Sequence, residues 1–90
     1  MIRPIKFHRT FEKHYAKRIL RDPKLSKLYD ERYSLFVAGQ LGYPLDDHAL
    51  GGTLKGKRAF SITGDIRVVY QVTAEAIIFL DVGSHNQVYG

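Results

Sequence analysis

Apolar residues recur every three to four positions in the first half of this chain and every second position in its last third, so it has to fold as helices followed by a sheet. Phe11, Tyr15 and Ile19 stand at i, i+4 and i+8, with Lys and Arg around the rest of the turn. That spacing predicts an amphipathic helix with Thr10 as its cap. Asp22-Pro23 resets the chain, because proline suits a first helical turn. Leu25, Leu28, Leu35 and Phe36 then predict a second helix ending near Gly39 or Gly42. Before the helices, Ile2 to Arg9 alternates Ile5 and Phe7 with Lys6 and His8, the pattern of a half-buried strand.

Tyr43 to Gly56 carries three Gly, one Pro and two Asp, and reads as an ordered loop. Past it the period is two. Arg58 to Ile62 is one strand, Gly64-Asp65 a tight turn, and Ile66 to Val72 a second strand. Thr73 to Glu75 turns the chain again into Ala76 to Val82, the most apolar segment and so the expected centre of the sheet. The residues after it, GSHNQVYG, are a tail. The expected architecture is α+β in the order β-α-α-β-β-β, an antiparallel sheet under a helical hairpin. No repeat or linker divides the chain, and residues 1–90 are read as a single domain.

The chain has no Cys, which removes disulfides and thiolate zinc sites and fits a reducing cytosol. Its longest apolar run, Ala76 to Leu80, is far below the roughly 20 residues that span a bilayer. The start lacks the apolar stretch of a signal peptide, so a cytoplasmic location is expected, with no membrane partner. The net charge of +5 points to a polyanionic partner. Its distribution says more: Met1 to Arg32 holds ten Lys and Arg against four acids, and the four remaining basic residues, Lys55, Lys57, Arg58 and Arg67, fall within thirteen positions. Two basic clusters on so small a body favour nucleic acid.

Strand parity begins to locate a site. Ile66, Val68, Tyr70 and Val72 share the face expected to meet the helices, while Arg67, Val69 and Gln71 share the other with Ser61. An Arg in a β-branched inner strand needs water or an anion for its charge. RNA can be cut without metal when a base takes the 2′-OH proton, a cation stabilises the phosphorane-like charge and an acid protonates the leaving 5′-oxygen. The C-terminal half holds that set: His48, Asp65, His85 and Tyr89 beside Arg67, Lys55, Lys57 and Arg58. Histidine suits acid or base work because its unperturbed pKa is about 6.5. Spacings such as HExxH are missing, so no metal and no cofactor are expected. Each residue has a plainer role open to it: His48 ordering its loop beside Asp46 and Asp47, Asp65 making the turn, Tyr89 pinning the tail. His8 and His14 read as surface histidines.

Three stretches, DHALGGTLKGKRAF (47–60), GDIRVVYQV (64–72) and FLDVGSHNQVYG (79–90), resemble the RelE/StbE/YafQ superfamily of type II toxins. The resemblance is close from about residue 46 onward and limited before it to element order and basic character. It implies a microbial-RNase-like fold and ribosome-dependent, metal-free cleavage of mRNA in the A site. The implied partners are a cognate antitoxin, mRNA and the 16S rRNA region of that site. By the resemblance His48 matches the loop His of the YafQ branch and Asp65 the acid at the strand turn. Arg67 matches a strand Arg of RelE, His85 the His of the tail motif and Tyr89 the terminal aromatic. Lys55, Lys57 and Arg58 match positions that approach RNA phosphate.

Two departures stand out: YafQ-like toxins carry a His on the strand before the turn, where this chain has Ser61, and Ile66 replaces a frequent Trp. The expectation is a metal-independent mRNA endoribonuclease with Asp65 or His48 as base, His85 as acid, and Arg67 stabilising the transition state. Lys55, Lys57 and Arg58 would hold phosphates and Tyr89 would stack on a base. The rival readings are a non-enzymatic toxin of ParE type acting on DNA gyrase, and a catalytically weak RNA-binding module.

Overall fold

The computed structural model describes residues 3–89. Met1, Ile2 and Gly90 lie outside them, and with them the predicted start of the first strand and the last residue of the tail motif. The elements run β1 (Ile5–Phe7), α1 (Arg9–Arg18), α2 (Pro23–Val37), β2 (His48–Ala49), a 3-10 turn (Gly52–Leu54), β3 (Arg58–Ser61), β4 (Arg67–Val72), β5 (Ile77–Gly83) and α3 (His85–Tyr89). The strands form one sheet in the order β1-β5-β4-β3-β2. Neighbours from β2 to β5 are antiparallel, and β1 joins the edge of β5 in parallel.

The α+β class is as expected, with three differences in detail. The sheet is mixed, because β1 runs parallel to β5, with both helices and strands β2 to β4 between them in the chain. Its middle strand is β4; β5, the most apolar, is one place off centre, flanked by β1 and β4. The loop and the tail also contain short elements, β2 and α3, that no periodicity marks.

Local chemistry sets the helix ends. His8, not Thr10, caps α1: its Nδ1 accepts from the Thr10 N–H at 3.0 Å. Asp22 caps α2, its Oδ1 accepting from Lys24 N and Leu25 N with Pro23 at the first position. Helix α2 stops at Gly39, whose φ of +78° is open to glycine. There Gly39 N donates to Phe36 O and Gln40 N to Leu35 O, the paired bonds of a Schellman ending.

Both helices bury their apolar stripes on one face of the sheet. Phe11 and Ile19 of the first stripe and Tyr29 and Phe36 of the second meet Phe60, Val68, Tyr70 and Phe79. Phe79 sits at the hub, with six aromatic rings at centroid distances between 5.4 and 6.2 Å. A bulge keeps β5 in phase: Val69 faces Asp81 and Tyr70 faces Phe79, so Leu80 is an extra residue. The shift lets Phe79 and Val82 both enter the core.

The same bulge turns Asp81 toward α1, where His14 Nδ1 lies 2.6 Å and Arg18 Nη1 3.7 Å from its Oδ1. His14 is therefore a half-buried tie between helix and sheet rather than the surface histidine expected, while His8 is exposed as expected and also caps the helix.

Candidate active site

The loop that brings His48 to the sheet is held from beneath. Asp47 is 1% exposed at its side chain, and Arg58 closes on its Oδ1 through Nε at 2.8 Å and Nη2 at 2.6 Å. The Tyr70 hydroxyl donates to the other carboxylate oxygen. Burial first, and then this contact, push the Tyr70 phenol above its ordinary pKa, and the bond to Asp47 raises Arg58. With Asp47 fixed, His48 pairs with Ala59 and Ala49 with Arg58 to make β2. Asp46 precedes them at a φ of +47°, a conformation aspartate tolerates. Its carbonyl oxygen lies 2.8 Å from His48 Nδ1. A carbonyl can only accept, so Nδ1 carries a proton, and in the neutral ring the lone pair is then on Nε2.

The second part of the site comes from α3. Ser84 and Gln87 cap that helix reciprocally: Gln87 N donates to Ser84 Oγ at 3.3 Å and Ser84 N to Gln87 Oε1 at 2.7 Å. One turn of helix then stacks His85 against Tyr89, edge to face, with centroids 4.5 Å apart. Asp65 ties this helix to the β3–β4 turn, its Oδ1 accepting the His85 N–H at 3.1 Å. The Tyr89 hydroxyl is buried without a hydrogen-bond partner among the described residues. Burial raises its pKa, and the nearby positive charge of Arg67 offsets part of that rise.

Together they line one open groove of about 470 Å³, bounded by His48, the glycine-rich segment Ala49 to Leu54, His85 and Tyr89. Three predicted site residues thus share one cleft, contributed by segments far apart in sequence. The others are distributed around it. Asp65 acts on the backbone of His85 rather than facing the groove. Arg67 donates to Ser61 Oγ at 2.8 Å and to Gly64 O at 3.1 Å, and lines a second, separate pocket. Lys55 and Lys57 follow the groove floor, Lys55 exposed and Lys57 half-buried, and neither makes an ion pair among the described residues.

Arg58, expected on RNA phosphate, is engaged by Asp47, so its visible work is to hold the His48 loop. Asp47, Ser84 and Gln87 were not singled out by sequence reasoning. The S-x-x-Q spacing just after a strand was the available signal for the cap, whereas an acid in a loop gives none for burial. Among the described residues no three His, Asp or Glu side chains converge to hold a metal ion. None of the helices there is long and apolar enough to cross a membrane.

The same architecture recurs in solved bacterial toxins. A YoeB/ParE toxin from Agrobacterium tumefaciens shares it at 14% identity, TM-score 0.76, over 91% of this chain and 98% of that one. A copper-bound point mutant of a Helicobacter pylori toxin matches at 27% identity and TM-score 0.77, covering 98% of this chain and 99% of that one. YafQ in the E. coli DinJ–YafQ complex matches at 25% identity and TM-score 0.74, again over 98% and 99%. No curated protein matches the chain in sequence. Fold and groove together define a toxin of the RelE/YafQ superfamily. The family model for YafQ, the bacterial toxin of a type II toxin-antitoxin system, matches residues 3–90, and the chain belongs to that family.

Proposed function

We propose that this toxin is an endoribonuclease that cuts mRNA on the ribosome by attack of the substrate's own 2′-OH, leaving a 2′,3′-cyclic or 3′-phosphate end. The observation that carries the reading is one groove lined by two histidines from distant segments. His48, with Nδ1 committed to the Asp46 carbonyl, offers Nε2 as the base for the 2′-OH proton. His85, which lines the same groove, is the acid for the departing 5′-oxygen. Tyr89 holds the His85 ring by its edge and gives a base a surface to stack on.

Asp65 serves as a positioning residue through the His85 N–H, and Arg67 supplies positive charge behind Tyr89. Lys55 and Lys57 border the floor where phosphates pass. Acid–base residues and fixed cations complete this chemistry, so no metal or cofactor enters it. The exposed Arg9, Lys13, Lys17, Arg21, Lys24 and Lys27 of the helical layer give the toxin its hold on ribosomal RNA, with a steep salt dependence. A cognate antitoxin silences the toxin, as the DinJ–YafQ pairing suggests by analogy. The cytoplasm, where mRNA is translated, is the site of action.

The test is primer extension on an mRNA translated in vitro, with wild type, His48→Ala and His85→Ala, with and without ribosomes. Ribosome-dependent cuts that fall a hundredfold or more in both variants, about the worth of general acid–base catalysis, support the proposal. Wild-type protein that leaves the message intact overturns it. Full cutting by Arg67→Ala would remove the charge role given to that residue.

A further inference from the structure

Beside the groove lies a pocket of about 250 Å³ whose lining includes Arg32 from α2, Tyr43 from the following loop, Asp46, and Arg67 from β4. Resting on the endoribonuclease reading, we propose that this pocket is a subsite for a nucleotide flanking the cut. Its two arginines would take a phosphate of the RNA strand and Tyr43 would stack on the attached base.

Four observations converge on it. Arg32 and Arg67 each bury an Nε that has no hydrogen-bond partner among the described residues. Those nitrogens are sealed from the pocket, so an oxyanion would meet the terminal nitrogens of the two forks, whose remaining hydrogens are the donors. Both side chains are held in place: Arg67 by Ser61 and Gly64, and Arg32 with only 21% of its side chain exposed. Their forks are therefore set before any ligand arrives.

Tyr43 is 91% exposed, the most exposed of the large hydrophobic side chains, and stands on the lip of this pocket. An aromatic ring held in water beside two arginines is the combination that binds an unstacked base and its phosphate. Asp46 gives the edge of a base an acceptor for its amino or imino hydrogen, while Arg32 also stands 4.0 Å from the Glu31 carboxylate at the surface.

Continuity with the groove gives the ligand. Asp46 is also the residue whose carbonyl fixes His48, and Gly64, which receives Arg67, adjoins the Asp65 that fixes His85. The pocket and the groove therefore share both supporting loops. A strand with its scissile phosphate between the histidines continues across those loops into the pocket.

The experiment is fluorescence anisotropy with a labelled single-stranded RNA whose riboses are all 2′-O-methylated, so that it binds but cannot be cut through a 2′-OH. Arg32→Ala and Tyr43→Ala are each expected to weaken binding about tenfold, the worth of one base stack or one fixed cation. Arg32→Lys should recover only part, because an ammonium has no fork. Tyr43→Ala removes an exposed ring and keeps the test independent of folding.

Lys6→Ala, an equal loss of charge at an exposed position of strand β1 and outside the surface given to ribosomal RNA, is the control: an equal loss of affinity there means diffuse attraction and overturns the subsite. So does unchanged affinity in Arg32→Ala and Tyr43→Ala, or a wild type that does not bind. Cleavage is scored separately. Subsite-dependent binding without any cleavage keeps this inference and sinks the nuclease reading. Cleavage with no effect of Arg32 or Tyr43 does the reverse.

Discussion

Asp47 and Tyr70 meet across the edge of the core, the buried phenol donating to a carboxylate whose other oxygen is clasped by Arg58. The pair couples the inner strand β4 to the loop that carries His48, so the same contact serves stability and the site. Arg58 is 40% exposed and can turn to water if its partner is lost; the Tyr70 hydroxyl, in a residue 2% exposed, cannot. Asp47→Ala should therefore destabilise the fold by about 3 kcal/mol, chiefly through that stranded hydroxyl and the lost charged bonds. In a domain of this size the melting temperature would fall by roughly 10–20 °C. Tyr70→Phe, which removes the donor together with its need, should cost only about 1 kcal/mol. Thermal melts followed by circular dichroism separate the two, and equal melting of Asp47→Ala and wild type would refute the anchoring role.

Alkaline stability follows from three tyrosines. Burial is the first cause that raises the pKa of Tyr29, Tyr70 and Tyr89. The folded chain holds these protons more tightly than the unfolded chain, whose phenols titrate at about 10. Their contribution is thus whole below about pH 10 and is lost as pH climbs above it toward the folded values. Denaturant midpoints should stay level with respect to these groups up to about pH 10 and then fall. Phenolate absorbance from the three should appear together with loss of the circular dichroism signal. Tyr70→Phe should make the alkaline decline shallower; an unchanged slope would show that Tyr70 does not contribute.

Gly83 predicts an unusual sensitivity at the end of β5. A Cβ there would stand 2.6 Å from Arg18 Nη1, 2.6 Å from Gln87 Oε1 and 3.2 Å from Gln87 Cβ. Both polar ends can swing away, but each has a bond to lose: Arg18 donates to Val82 O at 3.0 Å, and Gln87 Oε1 accepts from Ser84 N. Gly83→Ala should cost about 2 kcal/mol, the worth of two hydrogen bonds. Adding Arg18→Ala should not double that loss, because the two substitutions remove the same contact. Urea unfolding of the single and double variants decides it, and strict additivity would count against the shared contact.

Much of this arrangement was legible in the sequence where a period announced it. Phe11, Tyr15 and Ile19 marked α1, and the alternation from Arg58 to Val82 marked the antiparallel meander. What escaped depends on partners distant in the chain. Strand β2 is two residues long and exists because His48 pairs with Ala59. Parallel pairing of β1 with β5 joins Ile5 to Ile77, which no local pattern encodes. Motif order picked out His48, His85 and Tyr89, which the fold places on one groove. Parity put Arg67 and Ser61 on one face, but only the fold shows them bonded to each other beside Arg32.

The cap of α3 provides the cleanest separation of catalysis from stability. Ser84 and Gln87 each satisfy a backbone N–H of the other, and their bonds start the single turn that sets His85 against Tyr89. Five residues are too few to hold a helix by propensity alone, so the turn relies on this box, on the Asp65 bond to His85 N and on packing against β5. Ser84→Ala removes an acceptor at the surface end of the sheet and should cost only about 1 kcal/mol of global stability. The hydrophobic core lies elsewhere and is untouched. Cleavage should nevertheless drop by tenfold or more, because His85 would no longer be held in the groove it shares with His48, and small displacements of a reacting group are expensive. Ser84→Thr, which keeps the hydroxyl, should restore most of it. Loss of melting temperature in proportion to loss of cleavage would make Ser84 a general stabiliser; loss of cleavage at nearly constant melting temperature, rescued by threonine, identifies it as the residue that aims His85.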